Sequence, residues 1–237
     1  MKKIDYGIDA PHVIRNLFVF SAIGFLLPVF PLIKIGQVNI YTSGFIWMGI
    51  SCGLMALGML MYSVYGKLKH RDRILNMIDW KGSEIVLDVG TGRGLLVIGA
   101  AKRLSTGKSI GIDIWNMEDL TKNKIENTID NTVLEGVKDK VEIINDNAIS
   151  MSFADNTFDV VISNLCLHNI YNLEDRRKAC NEICRVLKKG GTAIISDFKH
   201  IKEYKNNFVQ SGLQTEILPA SYFTTFPPLA ILKIYKV

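Results

Sequence analysis

Cysteine, histidine and proline are scarce in this sequence. Its 237 residues include four cysteines, four histidines and six prolines. A chain of this length with so few cysteines is not a disulfide-built miniprotein, and it is long enough for a full hydrophobic core. Cys180 and Cys184 share one face of a predicted helix, but no further cysteine or histidine supplies the remaining ligands of a zinc site. We therefore predict no metal site.

Charge is nearly missing from the first part of the chain. Residues 16–33 and 35–66 carry no charged side chain, and Lys34 is the only charge between them. About 20 apolar residues in a helix cross a hydrocarbon layer of about 30 Å. The two stretches therefore predict two transmembrane helices, at about residues 16–35 and 40–65.

Two prolines complicate the first of these segments. Pro28 and Pro31 would kink or end a helix, so a re-entrant or interface-lying first segment stays open as an alternative. A secretory signal peptide is disfavoured, because a second and longer apolar stretch follows the first.

The excess of positive charge lies in the same part of the chain. The first 73 residues hold eight basic and three acidic residues, whereas residues 74–237 hold 20 of each. A nucleic-acid-binding face on the larger part is therefore not expected. The basic residues flank the two apolar stretches: Lys2, Lys3, Arg15, Lys67, Lys69, Arg71 and Arg73. By the positive-inside rule, both ends and everything after Lys67 are predicted to be cytoplasmic.

The sequence thus predicts a membrane anchor (residues 1–66), a basic juxtamembrane connector (67–79) and a third region (80–237). In the third region, apolar strands alternate with amphipathic helices. The predicted strands are 84–89, 109–113, 141–144, 158–163, 192–196, 214–218 and 229–235, and the predicted helices are 95–104, 120–134, 176–187 and 203–211. This order predicts an α/β fold with a doubly wound, mostly parallel, seven-stranded sheet and an antiparallel C-terminal strand. In the second of these helices, Ile125, Ile129 and Val133 recur at fourfold spacing.

A glycine-rich loop joins the first strand of this region to the helix after it. The segment runs from Asp88 through Gly90, Thr91, Gly92 and Gly94. Glycines let the backbone turn sharply and approach a ligand closely. The dinucleotide fingerprint needs a third glycine one residue later, where Leu95 stands, and a carboxylate beside a pyrophosphate would be unfavourable. The loop therefore favours a ligand with a positive centre.

Polar side chains follow the next three strands. Asp113 ends the second strand and can accept hydrogen bonds from both hydroxyls of a ribose. Asp146 and Asn147 follow the third strand and can meet an adenine edge, and Asn164 follows the fourth. Because the carboxyl ends of parallel strands meet at one edge of the sheet, these side chains are predicted to share one site.

The segments VLDVGTGRG, GIDIW and RVLKKGGTAIISDF resemble successive motifs of class I S-adenosylmethionine-dependent methyltransferases, nearest to the ubiquinone/menaquinone-biosynthesis C-methyltransferases. The resemblance covers about residues 75–237 and implies a Rossmann-like methyltransferase fold with S-adenosylmethionine as cofactor. It implies that Asp88 and Gly90–Gly94 cradle the methionine and ribose part of the cofactor, that Asp113 holds the ribose hydroxyls, that Ile114 packs on adenine and that Asn164 lies near the sulfonium. The family usually has Gly-Asp-Ala where this chain has Asp146-Asn147-Ala148, so an amide oxygen is expected to meet the adenine amine.

Several residues near this site have two interpretations. His168 is either a general base or a histidine at a helix start with a structural hydrogen bond, and Tyr171 is a weaker candidate of the same kind. Trp115 either stacks on adenine or packs in the loop. The aromatic segment 222–228 either walls a lipophilic acceptor pocket or caps the core.

We therefore expect a membrane-anchored methyltransferase of a lipophilic small molecule, such as a quinone, another lipid or an apolar thiol. A soluble metabolite or a membrane protein as acceptor stays open as an alternative. A nicotinamide-dependent oxidoreductase and a non-catalytic membrane scaffold are less favoured. No oligomeric state is predicted.

Overall fold

The computed structural model describes residues 3–220 and 224–237. Its first part contains two packed helices, α1 (Pro11–Leu26) and α2 (Phe45–Met61), which are joined by a two-stranded ribbon. We call the two helices and the ribbon the hairpin. The ribbon consists of two antiparallel strands, β1 (Leu32–Ile35) and β2 (Val38–Tyr41).

The bounds of these helices differ from the predicted ones. Pro11 occupies the first turn of α1, where its missing N–H is harmless, and the helix ends before Pro28 instead of extending to residue 35. The β-branched residues beyond Pro31 form the ribbon, which reverses at Gly36, a residue with φ +60°. The prolines therefore end the first helix and do not kink it.

Two helical runs, Pro11–Val29 and Phe45–Leu75, are long and apolar enough to cross a membrane by length and composition. Only 17% of the most apolar window of each run is buried against the rest of the protein. A core helix of similar composition would be mostly buried.

No break separates the second long helix from the region that follows. α2 continues through a π-helical turn (Tyr62–Gly66) into α3 (Lys67–Leu75) with right-handed helical backbone throughout. Ile74 and Leu75 are fully buried in the core beside the sheet. The segment 67–79, predicted as a connector, therefore contributes to the packing of the domain that it joins.

Within residues 3–220 and 224–237, the main sheet has seven strands in the order β5-β4-β3-β6-β7-β9-β8. The strands are β3 (Ile85–Val89), β4 (Lys108–Asp113), β5 (Val141–Asn145), β6 (Phe158–Asn164), β7 (Leu187–Asp197), β8 (Gln214–Leu218) and β9 (Ala230–Tyr235). Strands β3 to β7 pair in parallel, and β9 is antiparallel to both of its neighbours. This confirms the predicted mostly parallel sheet with an antiparallel C-terminal strand.

Helices cover both faces of the sheet. They are α4 (Leu95–Ala101), α5 (Ile125–Leu134), α6 (Leu173–Val186) and α7 (Ile201–Gln210). Along β3, Val86 packs in the cluster that contains α3 and α4 residues, and Leu87 packs in the cluster that contains α6 and α7 residues. Successive side chains of a strand point to opposite faces, so each face has its own core.

The apolar spacing of α5 does not mark its buried face. Ile129 and Val133 are exposed, while Thr128 and Asn131 are buried. Thr128 Oγ1 donates a hydrogen bond of 2.7 Å to the Gly92 carbonyl, and Asn131 Nδ2 donates one of 2.9 Å to the next carbonyl, that of residue 93. The polar face of α5 is buried because it holds the glycine loop.

Candidate active site

A cavity of about 1100 Å³ lies at the carboxyl ends of the parallel strands, where the strand order reverses between β3 and β6. Ligands of doubly wound sheets bind at this point. The cavity is lined by nearly all of the predicted site residues: Asp88, Gly90, Thr91, Gly92, Asp113, Ile114, Asp146, Asn147, Asn164, His168 and Tyr171. Gly94 does not line it. Gly94 starts α4 with φ +89°, and a Cβ there would press on Ile98 and Thr128, so its role is structural.

The glycine loop passes close to the end of β6. A Cβ on Gly90 would overlap the side chain of Cys166, and Gly90 has φ +75°, so only glycine fits there. The N–H groups of Gly90 and Thr91 both donate to the Ile112 carbonyl at 2.9 Å. The loop is therefore held by β4 on one side and by β6 on the other.

One carboxylate oxygen of Asp88 binds the glycine loop and the start of α4, and the other oxygen makes no such contact. Its Oδ2 accepts hydrogen bonds from Thr91 Oγ1 (2.8 Å) and from the Val97 N–H (2.9 Å), while its Oδ1 is buried without a partner. Burial raises the pKa of Asp88 to about 7, although the two hydrogen bonds oppose this shift. A cationic ligand group in the cavity would favour the ionised form.

Asp113 is already engaged by the protein. Its Oδ2 accepts from the Gly92 N–H (2.8 Å), and its Oδ1 accepts from the Trp115 N–H (2.7 Å) and from Asn123 Nδ2 (3.2 Å). A carboxylate offers about four acceptor positions. In this conformation Asp113 can accept about one more hydrogen bond, whereas its predicted role needs two.

The loops after β4 and β5 supply the adenine end of the predicted site. Ile114 is exposed to the cavity, but Trp115 does not line it, which favours packing over stacking. Asp146 Oδ2 accepts from the N–H and the hydroxyl of Ser152, both at 2.9 Å. Asn147 Oδ1 accepts from the Ile149 N–H at 3.1 Å, so it keeps one lone pair for a ligand donor.

The chain bends sharply where β6 ends. Leu165 has φ +54°, a left-handed conformation that costs on the order of 1–3 kcal/mol in a non-glycine residue. Its N–H donates to the Ser196 carbonyl at 3.0 Å. The bend lets Asn164 and Cys166 both line the cavity. Burial raises the pKa of the Cys166 thiol well above its usual value, and nearby carboxylates raise it further, so Cys166 is a poor nucleophile.

His168 lies beside a buried carboxylate that the sequence analysis did not single out. Its Nδ1 is 2.9 Å from Oδ1 of Asp197, outside the alignment of a linear hydrogen bond, and its backbone N–H donates to Oδ2 of the same residue at 3.2 Å. The ring also meets Phe198 edge to face, with centroids 4.6 Å apart. A carboxylate in this position orients an imidazole that accepts a proton at its other nitrogen. Tyr171 is 88% exposed and is not positioned in the same way.

Residues 5–10 form a strap across the cavity that the sequence analysis missed. Their backbone pairs with residues 119–121, and Arg93 forms an ion pair of 2.9 Å with Asp5. Buried Lys67 donates to the carbonyls of residues 6 and 7 and lies 3.2 Å from the carboxylate of Asp9. The sequence offers one clue to this strap: Asp5 and Asp9 are the only acidic residues before Asp72.

The hairpin also contributes to the cavity. Val13 and Leu17 of α1, Met55 and Met59 of α2, and Tyr62 of the π-turn line it. Phe226 and Pro227 of the predicted aromatic segment line it as well, while Tyr222 and Phe223 lie outside the described residues.

Another histidine lies at the end of β6, although it precedes the predicted α/β region in the sequence. His70 of α3 is 1% exposed, its Nε2 lies 2.7 Å from Ser196 Oγ, and its side chain interacts with Asn164. The continuous helix from α2 to α3 carries His70 to the end of β6.

Residues 87–195 match the family model described as a methyltransferase domain. A demethylmenaquinone methyltransferase of Bacteroides fragilis is 32% identical over 126 residues, which are 53% of this chain and 47% of that protein. A ubiquinone/menaquinone biosynthesis C-methyltransferase of Hydrogenovibrio crunogenus is 32% identical over 120 residues, which are 50% of this chain and 44% of that protein. We refer to residues 87–195 as the methyltransferase domain, after the family model that they match.

The fold is similar to that of known structures. The solved structure of an S-adenosylmethionine-dependent methyltransferase from Aquifex aeolicus superposes on 72% of this chain and 92% of its own, with a TM-score of 0.58 and 19% identity. The chain spans about half the length of the two curated relatives, and the family model begins after the hairpin and α3.

The residues of the methyltransferase domain fit its cofactor. The Gly90 and Gly92 backbone borders the cavity, and the free oxygen of Asp88 offers a negative group to a cation. Bound S-adenosylmethionine would supply a methyl group activated on a sulfonium.

Proposed function

We propose that this protein is a membrane-anchored methyltransferase that transfers the methyl group of S-adenosylmethionine to a lipophilic small molecule at the cytoplasmic face. One observation carries the proposal: a single cavity runs from the glycine loop of the methyltransferase domain to the apolar side chains between α1 and α2. A quinone, another lipid or an apolar thiol would suit such a cavity.

The packing of the hairpin supports membrane insertion. A Cβ on Gly24 would overlap the backbone of Gly49, and one on Gly53 would approach Ser21 Oγ to 2.9 Å. Ser21 Oγ also donates to the Gly49 carbonyl at 2.8 Å. Small residues that let two backbones approach, with a hydroxyl bonded across the interface, are typical of helix pairs in membranes.

The outer surface of the hairpin supports the same conclusion. Large apolar side chains are exposed along both helices, among them Phe20, Phe25, Leu26, Trp47, Leu54 and Met61. A continuous surface of this kind is rare on a soluble monomer, and it marks a protein or membrane contact. α1 with its terminal turn spans 19 residues, or about 28 Å, which is close to the thickness of a hydrocarbon layer.

The distribution of charge favours a cytoplasmic methyltransferase domain, although one of the basic residues predicted to flank the membrane has another role. Lys67 is buried in contacts with the strap, so it serves the protein interior and not the membrane surface. Arg15 and Lys69 are exposed near the two helix ends that face the methyltransferase domain, and Lys34 alone lies in the ribbon at the opposite end. This asymmetry follows the positive-inside rule.

The names of the relatives support a lipophilic acceptor. The Bacteroides and Hydrogenovibrio proteins are named for demethylmenaquinone methylation and for ubiquinone/menaquinone biosynthesis. A quinone acceptor would place its ring near the cofactor and its apolar chain between α1 and α2.

Methyl transfer from a sulfonium is an in-line displacement, so alignment and exclusion of water account for much of the rate enhancement. The strap and the hairpin close the cavity, and Asp113 and the glycine loop bind the cofactor. If the acceptor loses a proton, His168 accepts it, and Asp197 holds the imidazole in position.

The proposal is tested in two steps with full-length protein in lipid nanodiscs. First, S-adenosylmethionine binding is measured calorimetrically; we expect a micromolar Kd that Asp113→Ala weakens at least tenfold and that Asp139→Ala, at an exposed site, leaves unchanged. Unchanged binding in Asp113→Ala would contradict the site assignment.

Second, labelled methyl transfer is followed in native membranes that contain the protein, and the products are extracted into lipid, protein and aqueous fractions. We expect the label in the lipid fraction. Label in the protein or aqueous fraction would reject the lipophilic acceptor.

A further inference from the structure

Among the described residues, three buried polar atoms that make no hydrogen bond of good geometry meet where the hairpin joins the end of β6. They are the Tyr62 hydroxyl, His70 Nδ1 and Asn164 Oδ1. The side chains of Tyr62 and His70 both interact with that of Asn164, and the two rings meet edge to face with centroids 6.4 Å apart. We call these three residues the junction cluster. An unsatisfied buried polar atom is unfavourable, so three around one point indicate a place for a polar ligand group.

Two members of the junction cluster reach the cavity. Tyr62 is 4% exposed and lines the cavity, as does Asn164. His70 lies behind them and is held by Ser196 at 2.7 Å. Tyr62 belongs to the π-helical turn between α2 and α3, and single π-turns inside longer helices occur frequently at functional sites.

One wall of the cavity beside Tyr62 is apolar, while Asp9, His12, Ser63 and Lys67 line the cavity on the side of the strap. Leu17, Met59 and Phe226 line the apolar wall, and the Phe226 ring also packs against Gly58 of α2. A passage with an apolar wall that leads to the junction cluster fits a ligand with an apolar body and a polar end.

Two of the hairpin residues that line the passage are also substantially exposed. Val13 of α1 and Met55 of α2 line the cavity, yet they are 49% and 41% exposed. They lie on the hairpin whose remaining surface carries the exposed apolar side chains. A molecule dissolved in the membrane could therefore enter without crossing water.

We propose that Tyr62 and Asn164 bind a hydroxyl group of the methyl acceptor, whose apolar body lies between α1 and α2 and enters from the lipid between Val13 and Met55. A hydroxyl group donates to the amide oxygen of Asn164 and accepts from the Tyr62 O–H, which satisfies both atoms at once. A thiol is a weak donor and a weak acceptor, so the hydroxyl-bearing members of the lipophilic class are favoured. The inference rests on the proposed function and makes the hairpin part of the acceptor site.

The test uses full-length protein in nanodiscs that contain lipid extracted from native membranes, with tritium-labelled S-adenosylmethionine. The initial rate of label transfer to lipid is measured as the content of native lipid extract is varied, which separates KM for the acceptor from kcat. Tyr62→Phe removes only the hydroxyl, and its control, Tyr65→Phe, lies in the same π-turn with an exposed ring that does not line the cavity.

A second pair of variants tests the passage. Met59→Trp fills it, and Leu57→Trp adds the same bulk on the exposed face of α2. We expect Tyr62→Phe to raise KM for the acceptor about tenfold and Met59→Trp to raise it at least as much. We expect both controls to stay within twofold of the wild type, and all four variants to bind S-adenosylmethionine like the wild type.

The outcomes separate the two hypotheses. If the wild type labels lipid while Tyr62→Phe and Met59→Trp keep the wild-type KM, the acceptor site proposed for the hairpin is wrong and the proposed function stands. If the wild type binds no S-adenosylmethionine or labels no lipid, the proposed function fails, and the acceptor site fails with it.

Discussion

Protonation of Asp88 should compete with binding of the cofactor. The carboxyl group lines the cavity, has one free oxygen and has a pKa raised to about 7 by burial. S-adenosylmethionine is cationic, so it favours the ionised carboxylate. With a pKa of about 7, Asp88 is about 3% ionised at pH 5.5 and about 97% ionised at pH 8.5. We therefore expect Kd to be about 30-fold higher at pH 5.5 than at pH 8.5.

The assay is calorimetric titration at four pH values between 5.5 and 8.5. Asp88→Asn keeps an acceptor oxygen for Thr91 and the Val97 N–H but cannot ionise, so its Kd should be weak and nearly independent of pH. The Kd of the wild type for 5′-methylthioadenosine, which is uncharged, should also be nearly independent of pH. Other ionisable groups line the cavity, so a pH dependence that persists unchanged in Asp88→Asn would refute the argument.

The same pKa predicts the opposite trend for the stability of the protein without cofactor. Asp88 has a higher pKa in the folded protein than its ordinary value of 3.8, so the folded state binds more protons than the unfolded state between about pH 4 and pH 7. The contribution of Asp88 to stability is therefore present below about pH 4 and is lost as the pH rises through 7. Denaturant unfolding of the wild type should show this loss, and Asp88→Asn should not.

Two further predictions concern the hairpin and the imidazole. Gly24→Ala places a Cβ on the backbone of Gly49, so it should lower the free energy of unfolding in detergent by about 1–3 kcal/mol. Its control, Gly44→Ala, places a Cβ in open space and should leave the free energy of unfolding unchanged. Equal stability of the two variants would contradict the close packing of α1 and α2. If the acceptor loses a proton to His168, Asp197→Asn and His168→Gln should each lower kcat and leave the Kd for S-adenosylmethionine unchanged. If the two effects multiply in the double variant, the residues do not act as a unit.

Much of the fold and part of the site could be predicted from local pattern. Apolar runs of strand length that alternate with amphipathic helices imply a parallel sheet, and a parallel sheet places the ends of β3, β4, β5 and β6 at one edge. Asp88, Asp113 and Asn164 therefore meet at one cavity without any long-range information, because each directly ends its strand or follows it.

Other features depend on contacts between distant segments. The apolar spacing of α5 does not reveal its buried face, because Thr128 and Asn131 face the protein interior and donate hydrogen bonds to the glycine loop. The bounds of α1 were misplaced because uncharged length cannot locate a helix start. The strap of residues 5–10 has no periodicity at all, since its partners are residues 119–121 and two buried basic side chains.

By itself, the sequence determined which segments avoid water, where charge accumulates and which loop can bind a cationic nucleotide ligand, since these depend on residue type and short spacing. Only the tertiary structure decided that the apolar hairpin and the methyltransferase domain share one cavity. That result depends on an unbroken helix from Phe45 to Leu75, which carries Tyr62 and His70 to Asn164, about 100 residues later in the chain. No local pattern encodes such a meeting, because it arises from how two packed units are oriented.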